Sequence, residues 1–82
     1  HHGRQLLVRQ RVALSNHMRG VLSEYGIVVP QGVKVISRCL PGLLEDADNE
    51  LPMLARHLLA ELKAEHDQLM ERIDRCEQQL KA

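Results

Sequence analysis

The sequence predicts an all-α fold. It reads as an antiparallel helical hairpin, or coiled coil, of two long helices with a short helix and an extended connector between them, and it is expected to be dimeric. Three observations predict this. From Asp48 to Ala82 the chain has no glycine, and its one proline, Pro52, stands near the start of that run. Along the same stretch Ala55, Leu59, Leu62, His66, Leu69, Ile73, Cys76 and Leu80 follow at alternating steps of 4 and 3, a heptad seam. Apolar residues make up 44% of the 82 positions, yet there is no Phe or Trp and one Tyr, which suits slim helix-on-helix packing. A single core this small is marginal alone, so self-association is the expected source of further burial.

The elements follow in order as one domain, 4–82. His1-His2-Gly3 reads as the end of an appended tag with a linker residue and is left out of the fold argument. The first helix spans 4–25, with Leu7, Leu14, Met18, Val21 and Tyr25 on one stripe. Gly20 interrupts it and would let another helix approach; Gly26 fits a left-handed stop just past its end. Residues 26–32 form an extended apolar connector, since Pro30 biases Val29 away from the helical region. A short helix takes 33–40, with Val33, Ile36 and Leu40 on one face, and Pro41-Gly42 ends it. An acidic loop covers 41–48.

The long C-terminal helix then runs over 49–82, about 45 Å at 1.5 Å per residue. Asp48 or Asn49 would cap it, Glu50 would favour its dipole, and Pro52 is tolerated in a first turn. The i,i+4 pairs Glu71–Arg75 and Glu77–Lys81 would add a few tenths of a kcal/mol each. Extra apolar residues outside the seam (Leu51, Leu54, Leu58) imply two neighbours for its upper half. The lower half shows the narrow seam alone, and a first helix of 4–25 is too short to cover it unless the chain before Arg4 continues the helix. Leu59, Leu62, His66, Leu69, Ile73, Cys76 and Leu80 are therefore expected at an oligomer interface. His66, polar on an apolar seam, would fix register there.

Charge is balanced, 11 basic against 11 acidic residues, so no global charge argues for nucleic acid or membrane. No apolar run approaches the roughly 20 residues needed to span a bilayer. Cys39 and Cys76 make no disulfide framework, nothing reads as a secretory signal, and cytoplasmic, reduced thiols are the default. Among Cys39, Cys76, His17, His57 and His66 no two stand at a zinc-ligand spacing. The acidic cluster Glu45, Asp46, Asp48 and Glu50 is explained by capping and dipole complementarity. No nucleophile motif or phosphate loop is present, so the sequence supports no catalytic residue, no metal site and no cofactor, and no enzyme activity for this segment. Arg4, Arg9, Arg11 and Arg19 of the first helix form a candidate nucleic-acid contact. Pairing with the 45–50 segment or with the last helix is the plainer use of them.

An ordered series of residues carries a resemblance. Arg4-Gln5-Leu6-Leu7-Val8-Arg9-Gln10-Arg11, then Asn16, Arg19-Gly20, Gly26-Ile27-Val28-Val29-Pro30-Gln31-Gly32, Leu40-Pro41, Leu44-Glu45-Asp46 and Leu51-Pro52 resemble the central segment of DEDD-type bacterial insertion-sequence transposases. Those recombinases are guided by a structured bridge RNA. The resemblance implies that a RuvC-like domain with a divalent metal and a serine-bearing transposase domain lie outside this segment. It carries no catalytic residue onto these positions. The expected function is a non-catalytic coiled-coil dimerisation or linker region acting in transposition and DNA recombination, in the bacterial cytoplasm. The implied partners are a second copy, and DNA and guide RNA for the longer protein. The alternative is a helical module that grips bridge RNA or DNA through its basic first helix.

Overall fold

The computed structural model describes residues 2–81, with side chains for 3–80. His1 and Ala82, the outermost residues of the expected tag remnant and of the expected C-terminal helix, lie outside the described residues. Three helices and no strand are present among the described residues: α1 (His2–Glu24), α2 (Val35–Glu45) and α3 (Met53–Lys81). α1 and α3 lie antiparallel in a rod of 47 × 20 × 18 Å. The pairing is read from its two ends. At one, Leu7 packs with Leu69 and Ile73, and Arg4 reaches Glu77 at 2.6 Å. At the other, Met18 and Leu22 pack with Ala55, Leu59 and Leu62, and α2 closes over them with Ile36 and Leu40.

α1 ends as Gly26 requires. Ile27 N–H donates to the Leu22 carbonyl at 3.0 Å and Gly26 N–H to that of Ser23 at 3.1 Å, with Gly26 at φ +75°. This doubly bonded stop satisfies carbonyls that a helix end leaves unpaired. The connector then tucks one side chain in two: Val29 is buried, Val28 exposed. Arg19 holds it from α1, donating to the Pro30 and Gly32 carbonyls at 3.4 Å each. Gly32, at φ +144°, has Val35 Cγ2 2.7 Å from where a Cβ would stand, so no side chain fits there without a shift.

Several boundaries differ from the sequence expectation. α2 does not stop at Pro41-Gly42 but runs through them to Glu45, and Val33 lies outside it, exposed. Proline removes a ladder donor. The chain continues because Leu43 and Leu44 gain burial against the core and their carbonyls gain a donor in Arg56. α3 begins at Met53, not at 49. The Pro52 carbonyl accepts the first helical bond from Arg56 N–H at 3.0 Å, so Pro52 occupies the cap position. Asp48, Asn49 and Glu50 precede the helix, and no acid stands in its first turn. Gly20 faces open space, with no helix drawn close to it. Of the expected i,i+4 pairs, Glu71–Arg75 does not close; Glu77 pairs with Arg4, and the Glu77–Lys81 pair lies outside the described side chains. Lys63–Asp67 closes instead, at 2.6 Å.

The largest difference concerns the seam. Leu59, Leu62, His66, Leu69 and Ile73 are all buried within the single chain. α1 covers the lower half of α3 because it is already helical by His2, which sets Leu7 on Leu69 and Ile73 and Arg4 against Glu77. Cys76 is half-buried beside Leu69 and Ile73, and Leu80 is 60% exposed. The seam is an intrachain core, and its exposed remainder is Leu80.

Candidate functional site

Three surfaces and clusters hold whatever chemistry this chain offers. The first surrounds His66. That ring sits between Leu62 and Leu69 on α3 and divides the apolar core into an upper and a lower cluster, with Leu14 touching both. Its Nδ1 lies 3.2 Å from Ser37 Oγ on α2 and 3.6 Å from Asp67. Ser37 Oγ also donates to Asp67 Oδ1 at 3.3 Å, and Lys63 Nζ donates to Asp67 Oδ2 at 2.6 Å. His66 Nε2 is buried with no partner. Burial lowers the His66 pKa below its usual range; Asp67 opposes this, and Arg11 and Lys63 reinforce it. For Asp67, burial pushes the carboxyl up, but its bonds to Lys63, His66 and Ser37 prevail and hold it below the usual carboxylate range.

Serine, histidine and aspartate thus meet in space, which the sequence did not announce. The geometry is not that of a nucleophile relay. A relay places the acid on one ring nitrogen and the hydroxyl on the other. Here both meet Nδ1, and the hydroxyl bonds the acid directly. The cluster ties α2 to α3. A polar seam residue signals that some partner must be supplied, but the partner comes from an element 29 residues away.

The second cluster centres on Arg56, in the first turn of α3. Its guanidinium donates to the carbonyls of Leu51 at 2.9 Å, Leu43 at 3.2 Å, Leu44 at 2.8 Å and Asp46 at 2.9 Å, and to Asn49 Oδ1. One planar cation therefore caps the end of α2 and folds residues 46–51 onto the start of α3. Asn49, which donates to the Leu43 carbonyl at 2.7 Å, completes the knot.

The third feature is the distribution of the basic residues of α1. The structure separates the four arginines proposed for nucleic-acid contact. Arg4 is bonded to Glu77 by both Nε and Nη2. Arg9 is exposed near the free end of the rod. Arg4 and Arg9 line one shallow pocket with Gln5 and Val8, and Arg11 and Arg19 line another with Val12, Ser15, Asn16, Gln31, Gly32 and Val33. On the face turned away from that pocket, two adjoining grooves run between α1 and α3, sharing His17. Val21, Tyr25, Leu54 and Leu58 line their upper part, and Leu54 is 81% exposed.

Among the described residues no group of His, Cys, Asp or Glu is arranged to hold a metal ion. Cys39 and Cys76 are free thiols. No described helix is long and apolar enough to cross a membrane.

The chain is 40% identical, over 99% of its length, to a transposase for insertion sequence element IS1328 of Yersinia enterocolitica. It is similar to a segment of insertion-sequence transposases. A second relative, a probable family 20 transposase of Pseudomonas aeruginosa, is 37% identical over the whole chain. The chain spans about a quarter of the length of these curated relatives, 23% and 25%. No family model matches it, and no solved structure does.

Proposed function

We propose that the chain is a non-catalytic helical hairpin that joins and assembles the parts of an insertion-sequence transposase. The observation that carries this reading is the end-to-end likeness to one quarter of two such transposases, combined with the path of the chain. Arg4 of α1 pairs with Glu77 of α3, so residues 2 and 81 emerge at one end of the rod and α2 caps the other. A hairpin of this form does not hold its flanking segments a rod's length apart. It brings them together and projects a stalk beside them. On this reading the RuvC-like domain with its divalent metal and the serine-bearing domain belong to other parts of the longer protein.

The seam being occupied, self-association falls to the open α1–α3 groove, and its occupant is a second copy of this chain. Glu61 and Glu65 line the groove toward one end and Arg72 toward the other. An antiparallel copy sets each acidic half against the partner's base, while Leu54 and Leu58 lose their exposure. Light scattering tests this. The chain should have the mass of two copies, and Leu58→Glu the mass of one with unchanged helix content. A single-copy mass for the unmodified chain at high concentration would remove the assembly role.

A further inference from the structure

We infer that the pocket between α1 and the connector is a binding site for a phosphate oxyanion. Arg11, Ser15 and Arg19 follow at steps of four on α1 and so share one stripe. With Asn16, Gln31 and Gly32 they line a pocket of about 210 Å³, walled on its apolar side by Val12 and Val33. Neither arginine has a carboxylate within ion-pair distance among the described residues, in a chain whose acids and bases are equal in number. Arg4 and Lys63, by contrast, each have a carboxylate at 2.6 Å.

The two cations are also incompletely used. Arg19 spends its Nη2 on two long bonds of 3.4 Å to the connector, and its Nε has no partner. Among the described residues Arg11 makes no side-chain hydrogen bond that would hold its fork away from the pocket. Ser15, only 5% exposed overall, contributes to the lining although it sits deep in the packing. Gly32 adds backbone to the lining, and its carbonyl accepts one of the long Arg19 bonds. The lining thus offers two guanidinium forks, a hydroxyl and two amide side chains. A planar carboxylate has two oxygens and cannot engage so many donors at once, whereas a tetrahedral phosphate presents acceptors in several directions. The site commits to the phosphate and not to its carrier, which is either a small free phosphate or the backbone of a nucleic acid. It stands independently of the assembly role.

The test uses this chain with two probes. Inorganic phosphate is titrated while the Nε–Hε resonances of Arg11 and Arg19 are followed by NMR. A fluorescein-labelled single-stranded oligonucleotide is titrated by anisotropy at two salt concentrations. Phosphate should shift those two resonances and leave that of Arg9 in place. Arg11→Gln should weaken binding about tenfold, and Val12→Glu, which sets a carboxylate at the mouth, should abolish it. Arg9→Gln should change it by less than about twofold, as a rim charge outside the pocket. Binding of the oligonucleotide as well assigns the site to a nucleic-acid backbone; binding of phosphate alone assigns it to a small phosphate. Unmoved resonances would overturn the proposal. So would equal losses from Arg9→Gln and Arg11→Gln, since diffuse charge would then explain any affinity. Circular dichroism checks the fold of each variant, and the resonance test needs no variant at all.

Discussion

His66 is the residue at which this fold departs furthest from an apolar hairpin. It is fully buried, with one ring nitrogen bonded and the other orphaned. Its pKa is lowered in the folded state, mainly by burial, with Arg11 and Lys63 adding to the effect and Asp67 opposing it. The unfolded chain therefore binds more protons as pH falls through the ordinary histidine range, near 6.5. Stability from this group is present above that value and is lost as pH drops below it. Melting followed from pH 7.5 to 5.5 should show a falling Tm, and His66→Leu should flatten that slope. The same variant should melt about 5 °C higher at pH 7.5, because it removes a buried donor or acceptor without a partner, while Ser37 keeps Asp67. A variant that melts lower at pH 7.5 would show that the Ser37 contact outweighs the orphan nitrogen. Gly20 gives a second test at this scale. It is a helical glycine facing open space, so Gly20→Ala should stabilise the chain by up to about 1 kcal/mol, read from urea unfolding.

Among the elements, α2 depends most on a single side chain. It has a proline in its interior and no side-chain bond at its N-cap, Lys34. What keeps its last turn in place is the burial of Leu43 and Leu44 together with the Arg56 guanidinium on their carbonyls. Arg56→Ala should cost about 2 kcal/mol, in the range for several bonds to one charged group. Arg56→Lys should recover little of this, since an ammonium cannot span the same acceptors. Limited proteolysis should then cut within 41–52 first, while the contacts of α1 with the lower part of α3 persist. Equal cleavage of both variants and the unmodified chain would show that apolar burial alone holds α2.

At the scale of the whole molecule, two leucines one position apart on α3 have opposite roles. Leu59 is completely buried against α1 and α2, and Leu58 faces the open groove. Leu59→Ala should cost about 3 kcal/mol by opening a cavity in the single-chain core. Its effect on Tm should not vary with protein concentration. Leu58→Glu should leave the melting of a dilute sample nearly unchanged and act on mass alone. Concentration-dependent loss at Leu59 would return the seam to the interface that the heptad pattern suggested.

Helix type, the hairpin and the Gly26 stop were legible in the chain because they rest on local rules. The period of apolar residues and the left-handed freedom of one glycine act within a few positions. The Arg56 clamp and the Ser37–His66–Asp67 cluster were not legible, since each joins groups that meet only after α2 has docked. The occupant of the seam was decided the same way. A stripe of leucines states that it must be covered, but its own spacing does not say by what. Where α1 begins, where α3 starts and how far the two overlap settled that α1 of the same chain lies on it. Burial is satisfied by any apolar surface of the right shape, and only the packed arrangement shows which surface arrived.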